Sequence, residues 1–322
     1  MDELWPIYQT NGYAGVTKAD PGDPLGLFYR ALLAFAEDDF VQAAQDVRRA
    51  AAGDPASLVF AEAVRYLDRV MAQGKAGVYV DGAAFAAFIR GGGNVALYAA
   101  VSDLLRAHYA DYHAGSDALR LLDIGVGDGM ALLPALTDEV LPLARLDVLE
   151  PSAAMLAQTT AALDQRGITH HAANSTIQAF MASEIGQQTH WDIMQATWSL
   201  QSVPPAERAP IFAWCREHGD RLLIAEFDVP DFADLFAPDR VRYIVTHYER
   251  GLREYLGDEG VVAQGFLMPV MFGYFDRSAA RTNWEGPVQG WIDDLRAAGF
   301  ATARTHNIYD YFWANACLIE AH

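Results

Sequence analysis

The sequence predicts an α/β protein built on a doubly wound, mostly parallel sheet, and two observations carry this prediction. The first is the stretch of residues 119–130, where an apolar run ends in Asp123 and glycines follow at alternate positions, Gly125, Gly127 and Gly129. The second is the order of the segments that follow, because strand-like apolar runs alternate with segments of helical spacing. A buried strand, a glycine turn and a helix form the nucleotide-binding half of such a fold.

The glycine turn suits a ligand that contains a nucleoside. Glycine takes positive φ without strain, and it lets a ligand approach the backbone because no Cβ stands in the way. Apolar residues at helical spacing follow the turn, so free backbone N–H groups are expected where that helix begins. The next strand-like run, residues 145–150, ends in Glu150. This acid lies about twenty residues past the turn, the spacing at which a carboxylate takes ribose hydroxyls.

The turn departs from the dinucleotide-binding pattern. That pattern has its third glycine three positions after the second, where this chain has Met130. Asp128, inside the turn, would face a pyrophosphate with the wrong charge. A cofactor with a positive centre and no phosphate fits better, although an NAD(P)-dependent oxidoreductase, which would share the first strand and Glu150, stays an alternative.

The run Asp123-x-Gly125-x-Gly127-x-Gly129, followed by Glu150, resembles the class I S-adenosylmethionine-dependent methyltransferases. The resemblance implies S-adenosyl-L-methionine as the cofactor, with the three glycines against its methionine portion and Glu150 on its ribose. Asp123 becomes the acid at the end of the first strand. The implied fold is a Rossmann-like sheet of seven strands with a terminal antiparallel hairpin.

The segments after the glycine turn follow the order of that family. Helices are predicted over residues 152–166, 205–218 and 290–298. The predicted strands after residues 145–150 cover residues 168–173, 191–197, 221–227, 301–308 and 312–321.

The resemblance assigns further site residues by their place after these strands. Asn174 and Ser175 follow the third strand, which in the family puts them near the adenine. Trp198 follows the fourth strand, where relatives place the substrate and the methyl group. An aromatic side chain of the core is the competing interpretation of Trp198. Tyr311, at the turn of the terminal hairpin, and Tyr13, in the opening segment, are further candidates for substrate contact.

Two parts lie outside the predicted core, which spans residues 117–322. Residues 1–116 carry several helical patterns and predict an N-terminal helical cap. Residues 228–289 form an aromatic insertion between the fifth strand and the last helix. Because insertions at the carboxyl ends of parallel strands lie beside the ligand crevice, this segment is predicted to be a lid over the substrate.

The insertion supplies the candidates for catalysis. Residues 242–255 predict a helix on which Tyr243 and His247 share a face at four-residue spacing. His247 is the candidate base for an acceptor that carries a proton, helped by Tyr248, with Tyr243 in contact with the substrate. A structural histidine satisfied within the fold is the competing interpretation.

No metal is predicted. His247, His306 and Asp310 would make a set of two histidines and one carboxylate, but the sequence does not show that they converge. No short-range ligand motif such as His-Glu-x-x-His accompanies them.

Composition excludes several classes of partner. The formal net charge of −19 argues against nucleic acid and anionic membranes, because phosphate binding needs clustered Lys and Arg. No apolar run approaches the length of about 18 residues that a membrane span needs. Cys215 and Cys317 are isolated and the chain has no secretory start, so a reducing, cytoplasmic setting is expected.

The sequence therefore predicts methyl transfer to a small molecule. The resemblance extends to enzymes of bacterial natural-product pathways, which methylate carbon, oxygen or nitrogen of aromatic or amino-acid-derived precursors. A non-catalytic methyltransferase-like binding protein is a further alternative, although such a protein would be expected to lose its glycine turn or its acid. The apolar helix faces fit either a homodimer or a cover over the pocket.

Overall fold

The computed structural model describes residues 1–75, 81–113, 118–137 and 143–322, which form two compact units. The helical unit comprises Met1–Val95 and Asp231–Ala280, and the sheet unit comprises Ala96–Pro230 and Arg281–His322. The helices are α1 (Leu4–Val16), α2 (Pro24–Ala36), α3 (Phe40–Gly53), α4 (Leu58–Gln73), α5 (Gly82–Ile89), α6 (Gly92–His113), α7 (Leu132–Ala135), α8 (Ala153–Gln165), α9 (Ile177–Met181), α10 (Glu184–Gln188), α11 (Pro205–His218), α12 (Pro238–Arg253), α13 (Met268–Gly273) and α14 (Val288–Ala297). The strands are β1 (Arg120–Ile124), β2 (Arg145–Leu149), β3 (His171–Ala173), β4 (Trp191–Thr197), β5 (Gly219–Phe227), β6 (Ala303–Asp310) and β7 (Asn315–Ala321).

The sheet unit holds one seven-stranded sheet in the order β3-β2-β1-β4-β5-β7-β6. Strands β1 to β5 pair in parallel, and β7 inserts antiparallel between β5 and β6. The strand order reverses at β1, whose carboxyl end is where doubly wound sheets bind ligands. The predicted fold class is confirmed: this is a Rossmann-like methyltransferase sheet with a terminal antiparallel hairpin, and helices precede its first strand.

The central strands form because apolar residues make up more than half of each one. In β1 the four residues from Leu121 to Ile124 are all buried, as a parallel strand covered on both faces requires. One face packs a cluster of aromatic and aliphatic side chains from β4, β5, α11 and α14, centred on Trp191, Phe212 and Trp291. The Trp191 indole N–H donates to Asp147 Oδ2 at 2.7 Å, so its polar atom is satisfied inside the core.

The strand β3 is shorter than predicted. Gly167 has a φ of +68° and ends α8, and its N–H donates to the carbonyl oxygen of Asp164. The N–H of Ile168 donates to the carbonyl oxygen of Leu163, which completes a Schellman motif. Ile168 therefore packs at the helix end, and pairing with β2 starts only at His171.

The helix after the glycine turn is also shorter than the apolar spacing suggests. It spans Leu132–Ala135, a single turn, and its first residue has no side-chain cap. Leu136 has an extended backbone, with a ψ of +97°, so the chain leaves the helix there. This helix gives the turn few aligned peptide dipoles, which bears on the ligand that the turn can hold.

The helical unit is organised around α2, whose sequence is apolar all round and whose residues from Gly26 to Ala36 are buried. The one charged residue in this stretch, Arg30, makes two hydrogen bonds to the carboxylate of Asp46, at 2.6 and 2.7 Å. Asp46 is fully buried, and the paired geometry satisfies both charges. Phe272 of α13 packs on this core against Phe35, with ring centroids 4.9 Å apart.

The chain divides at other places than the sequence suggested. The insertion forms one unit with the N-terminal helices, where Glu249 of α12 accepts hydrogen bonds from the N–H groups of Leu58 and Val59 at the start of α4. In the other direction, α6 from Ala96 onward belongs to the sheet unit, where the Ser102 hydroxyl donates to the carbonyl oxygen of Ala131 at 2.9 Å. The predicted boundary, between residues 116 and 117, lies outside the described residues.

Among the described residues, no single helix is long and apolar enough to cross a membrane. The consecutive helices Gly82–Ile89 and Gly92–Tyr112 reach the required length and composition only when they are taken together.

Candidate cofactor site

The turn between β1 and α7 is built on three glycines with a left-handed backbone. The φ angle is +74° at Gly125, +59° at Gly127 and +82° at Gly129, a region that other residues rarely adopt. A Cβ at Gly125 would also lie 2.4 Å from the Cβ of Ser199. The Ser199 hydroxyl donates to the carbonyl oxygen of Ile124 at 2.6 Å, so the end of β4 is held against the turn. Position 125 therefore requires glycine for both conformation and space.

Glu150 lies directly after β2, and its carboxylate faces the same turn. Oε2 accepts a hydrogen bond from the Gly127 N–H at 3.0 Å, and Oε1 accepts one from the Ser152 N–H at 2.8 Å. The residue is 7% exposed. Because an ionised carboxylate offers about four acceptor sites, two remain for a ligand. The backbone thus fixes Glu150 in an orientation in which it can accept two neighbouring hydroxyl groups.

A cavity of about 460 Å³ opens beside Glu150, at the carboxyl ends of β1, β2 and β4. Its volume lies in the range of about 300–1,000 Å³ that is typical of small-molecule sites. The wall combines two carboxylates, those of Glu150 and Glu207, with apolar, amide and hydroxyl side chains. Lining residues that bear on its chemistry are Gly125, Glu150, Ser175, Ile177, Trp198 and Leu200.

Asp123, the acid at the end of β1, is 2% exposed. Burial raises the pKa of its carboxyl group to about 7. Oδ2 accepts a hydrogen bond from Gln195 Nε2 at 2.6 Å, and Gln195 in turn accepts one from the Tyr109 hydroxyl. Oδ1 is buried and has no partner among the described residues. Asp123 therefore adds a titratable, incompletely satisfied acid beneath the turn.

The two residues expected near the adenine differ in their placement. Ser175 lines the cavity. Asn174 does not, because its side-chain amide donates to the carbonyl oxygens of Glu150 and Pro151, both at 2.9 Å. Asn174 thus holds the chain segment that carries Glu150.

Two of the predicted substrate residues lie in one aromatic stack of the sheet unit. Trp198 stacks on Phe227, with ring centroids 5.6 Å apart, and Phe227 stacks on Tyr311 at 5.3 Å. Trp198 has a φ of +49°, which for a residue with a bulky side chain costs about 1–3 kcal/mol. Its N–H is tied to the carbonyl oxygen of Ala225 at 2.9 Å, and it lines the cavity. Strain of this kind concentrates at functional sites.

The other four predicted residues lie in the helical unit. His247 and Tyr243 share a face of α12, with their rings stacked at 3.8 Å, and His247 Nδ1 lies 2.7 Å from the Tyr243 carbonyl oxygen. Tyr248 is 2% exposed. The Tyr13 hydroxyl donates to Asp39 Oδ2 at 2.9 Å. The site predicted from sequence is therefore distributed over both units.

Sequence analysis did not select several residues that shape this region. The Thr159 hydroxyl of α8 donates to the carbonyl oxygen of Gly127 at 2.8 Å, and Ile177 gives the cavity part of its apolar wall. No local sequence pattern indicates a role for either residue. Glu226 did carry a signal, as an acid that directly follows the apolar run of residues 222–225 in β5. It is 1% exposed, burial raises its pKa well above the usual range, and Oε1 accepts from the Gln201 N–H at 3.1 Å.

No family model and no curated protein matches this chain. Among solved structures, magnesium protoporphyrin IX methyltransferase (ChlM) from Synechocystis PCC 6803 with bound SAH is similar at a TM-score of 0.45 and 15% identity, covering 71% of this chain and 83% of that one. The mitomycin 7-O-methyltransferase MmcR is similar at 0.43 and 14%, covering 97% and 76%. The N-terminal domain of EvdMO1 with SAH bound is similar at 0.42 and 14%, covering 69% and 79%.

Likenesses at this level compare chain folds only, so the assignment rests on this chain's own geometry. The strand order with an inserted antiparallel β7 and the left-handed glycine turn after β1 are both present. The sheet unit has the fold of the class I methyltransferases.

Proposed function

We propose that this chain is an enzyme that transfers a methyl group from S-adenosyl-L-methionine to a small molecule. The observation that carries the proposal is the fixed Glu150 carboxylate, which borders the cavity beside the glycine turn. Its two remaining acceptor sites suit the neighbouring hydroxyls of a ribose.

The same turn disfavours a dinucleotide. A pyrophosphate binds where backbone N–H groups at a helix start are free to face it. Here the Gly127 N–H is already bonded to Glu150, and α7 is a single turn. Asp123, Asp128 and Glu150 also place three carboxyl groups at this turn. Such a cluster repels phosphate and favours a ligand with a positive centre, as the sulfonium cofactor has.

The cavity wall supports this cofactor in its other parts. Ile177, Leu200 and Val203 give apolar surface for a nucleobase, and Ser175 adds a hydroxyl. We assign the ribose to Glu150 and the methionine portion to the turn formed by Gly125, Gly127 and Gly129, above Asp123. Asn174 acts through Glu150 in this scheme, because its amide holds that residue's backbone.

The acceptor is proposed to be small and flat. The stack of Trp198, Phe227 and Tyr311 begins at the cavity wall and offers aromatic surface, which would bind an aromatic or amino-acid-derived molecule. We propose a natural-product precursor of this kind, methylated at carbon, oxygen or nitrogen.

The methyl group of the bound cofactor is already electrophilic, so the protein's residues have to align the acceptor, exclude water and accept a proton where one is released. We propose His247 as the base, with Tyr248 beside it and Tyr243 and Tyr13 in contact with the acceptor. Because a carbonyl oxygen only accepts, the short contact from His247 Nδ1 to the Tyr243 carbonyl oxygen places the ring proton on Nδ1. The lone pair of a neutral ring is then on Nε2, as a base requires.

Two properties of the protein in the cell are part of the proposal. The buried thiols of Cys215 and Cys317 are both free, which supports a reducing compartment such as the cytoplasm. We propose a small-molecule acceptor rather than nucleic acid or a membrane, and a homodimer stays a prediction.

Calorimetric titration of the purified chain tests the proposal. We expect S-adenosylmethionine and S-adenosylhomocysteine to bind one per chain, and NAD and NADP to give no heat. Glu150→Ala should weaken binding of both sulfur ligands, while Glu184→Ala, a matched removal of an exposed acid at the start of α10, should not.

Binding of a nicotinamide dinucleotide in place of the sulfur ligands would replace the proposal with an oxidoreductase. Silence with every nucleotide, in a protein shown to be folded, would favour the non-catalytic alternative.

A further inference from the structure

A second set of potential ligands lies in the sheet unit, away from the carboxyl ends of the parallel strands. His108 of α6, His306 of β6 and Glu320 of β7 each direct one ligand atom toward the others, all within 4.8 Å of one another. We propose that these three residues bind one divalent transition-metal ion, of the class that zinc and cobalt represent.

The strand register places His306 and Glu320 on one face of the sheet, and the helix that carries His108 lies on the same face. Glu320 pairs with Leu223 of β5, and Arg221 precedes Leu223 by two residues, so Arg221 and Glu320 share that face. His306 pairs with Leu318, which lies two residues before Glu320. The helix α6 lies on the same face, because Tyr109 bonds to Gln195, which pairs with Leu223. His108, next to Tyr109 on α6, therefore lies on the face of the sheet that carries His306 and Glu320.

The separations fit a shared coordination sphere. His306 Nε2 lies 3.3 Å from Glu320 Oε2, and His108 Nδ1 lies 3.9 Å from Glu320 Oε1. Two ligands at zinc bond lengths of about 2.0–2.1 Å and a tetrahedral angle lie about 3.3 Å apart. One edge already has this length, and all three ligand atoms lie within 4.8 Å of one another. Side-chain exposures of 13%, 39% and 13%, for His108, His306 and Glu320, leave an entry from solvent.

The hydrogen bonding of His108 suits a ligand. Its Nδ1 lies 3.3 Å from Arg221 Nη1, and because a guanidinium can only donate, Nδ1 carries the lone pair. The nitrogen that carries the lone pair is thus the one that lies 3.9 Å from Glu320 Oε1.

Arg221 competes with the metal for these ligands. Its Nε lies 3.4 Å from Glu320 Oε1, so the positive guanidinium already pairs with the carboxylate that would bind the metal ion. The same side chain reaches Asp111 Oδ2 at 3.4 Å, and Asp111 is exposed. We expect the ion to displace Arg221 toward Asp111. Removing the arginine should therefore strengthen metal binding, which a merely structural role for these residues would not produce.

The donor set selects the metal. Two imidazoles and one carboxylate suit zinc, cobalt or iron, whereas magnesium and calcium prefer oxygen ligands. Three protein ligands leave at least one position to water. A bound ion would join α6 to the terminal hairpin and hence stabilise the sheet unit.

The test is titration of the chelator-treated full chain with zinc by calorimetry and with cobalt by visible absorption. We expect one ion per chain, no binding of magnesium, and an affinity that falls about 100-fold in His306→Ala and in Glu320→Gln. In Arg221→Met the affinity should rise about tenfold, because a competing cation is lost. His190→Ala is the matched control, since His190 forms another histidine–carboxylate pair, with Asp220 at 2.8 Å.

Zinc binding that is unchanged in His306→Ala and Glu320→Gln, or absent from the wild-type chain, would overturn the proposal. Circular dichroism establishes that each variant is folded. The rise in Arg221→Met cannot come from misfolding, so unchanged or weaker binding in a folded Arg221→Met protein also counts against the site.

Discussion

The two units of this chain differ in how the sequence encodes them. In the sheet unit, β1, the glycine turn, β2 and Glu150 follow one another along the chain, and the ligand cavity forms where they meet. The helical unit instead joins helices α1 to α5 with α12 and α13, which are separated in the chain by most of the sheet core. A site formed by one continuous stretch of sequence can be predicted from that sequence, whereas a unit assembled from two distant stretches cannot.

The comparison also separates the proposed roles. All the cofactor candidates lie in the sheet unit, and the candidate base lies in the helical unit. Substitutions in the sheet unit should then change cofactor affinity, and substitutions on α12 should change turnover. The following predictions test that division, starting with the largest expected effect.

His247→Gln is expected to lower kcat about 10²–10⁴-fold, the usual contribution of a positioned general base. The dissociation constant of S-adenosylmethionine should stay the same, because His247 belongs to the helical unit. Steady-state kinetics with labelled cofactor and calorimetry measure the two quantities. Thr246→Ala, an exposed neighbour on α12, is the control, and equal loss in both variants would remove His247 from the mechanism.

Asp46→Ala is expected to destabilise the helical unit by about 3–5 kcal/mol, because it leaves the Arg30 guanidinium buried without its counter-charge. Urea unfolding followed by circular dichroism measures the loss. Asp68→Ala removes an acid from an exposed pair with Arg48 and should cost less than about 1 kcal/mol. Similar costs for the two variants would contradict the assignment of the Arg30–Asp46 pair as the buried one.

Glu150→Ala is expected to weaken S-adenosylhomocysteine binding about 100-fold, because two hydrogen bonds to a charged acceptor are lost. Turnover at saturating cofactor should fall much less. Competition calorimetry measures the affinity. A variant with unchanged affinity would show that the carboxylate only holds Gly127 and Ser152.

Asp123→Asn is expected to change how stability depends on pH. The pKa of the Asp123 carboxyl group is 3.8 in the unfolded chain and about 7 in the folded protein. Between these values only the folded state holds the proton, so unfolding releases it and the free energy of unfolding falls as pH rises. The wild-type protein should lose about 2.6 kcal/mol more than Asp123→Asn between pH 5 and pH 8. An equal change of the free energy of unfolding with pH in the two proteins would show that folding does not raise the pKa of Asp123.

The fold class and the left-handed glycine turn could be predicted from the sequence because both depend on local pattern. The sequence did not predict that the Asn174 side chain bonds to the carbonyl oxygens of Glu150 and Pro151, since that depends on the path of the chain after β2. The division into two units could not be predicted for the same reason. It depends on contacts such as that of Glu249 with α4, which join residues far apart in the sequence. The set of His108, His306 and Glu320 comes from one helix and two strands, so no spacing revealed it, and the metal we propose there departs from the sequence-based expectation of none.

The measurement that tests the account most directly is a crystal structure of the chain with S-adenosylhomocysteine. We predict the adenosine in the cavity lined by Ile177 and Leu200, with both ribose hydroxyls within hydrogen-bond distance of the Glu150 carboxylate and the sulfur end beside Gly125. A ligand bound elsewhere, or a ribose that does not touch Glu150, would contradict the proposed cofactor site.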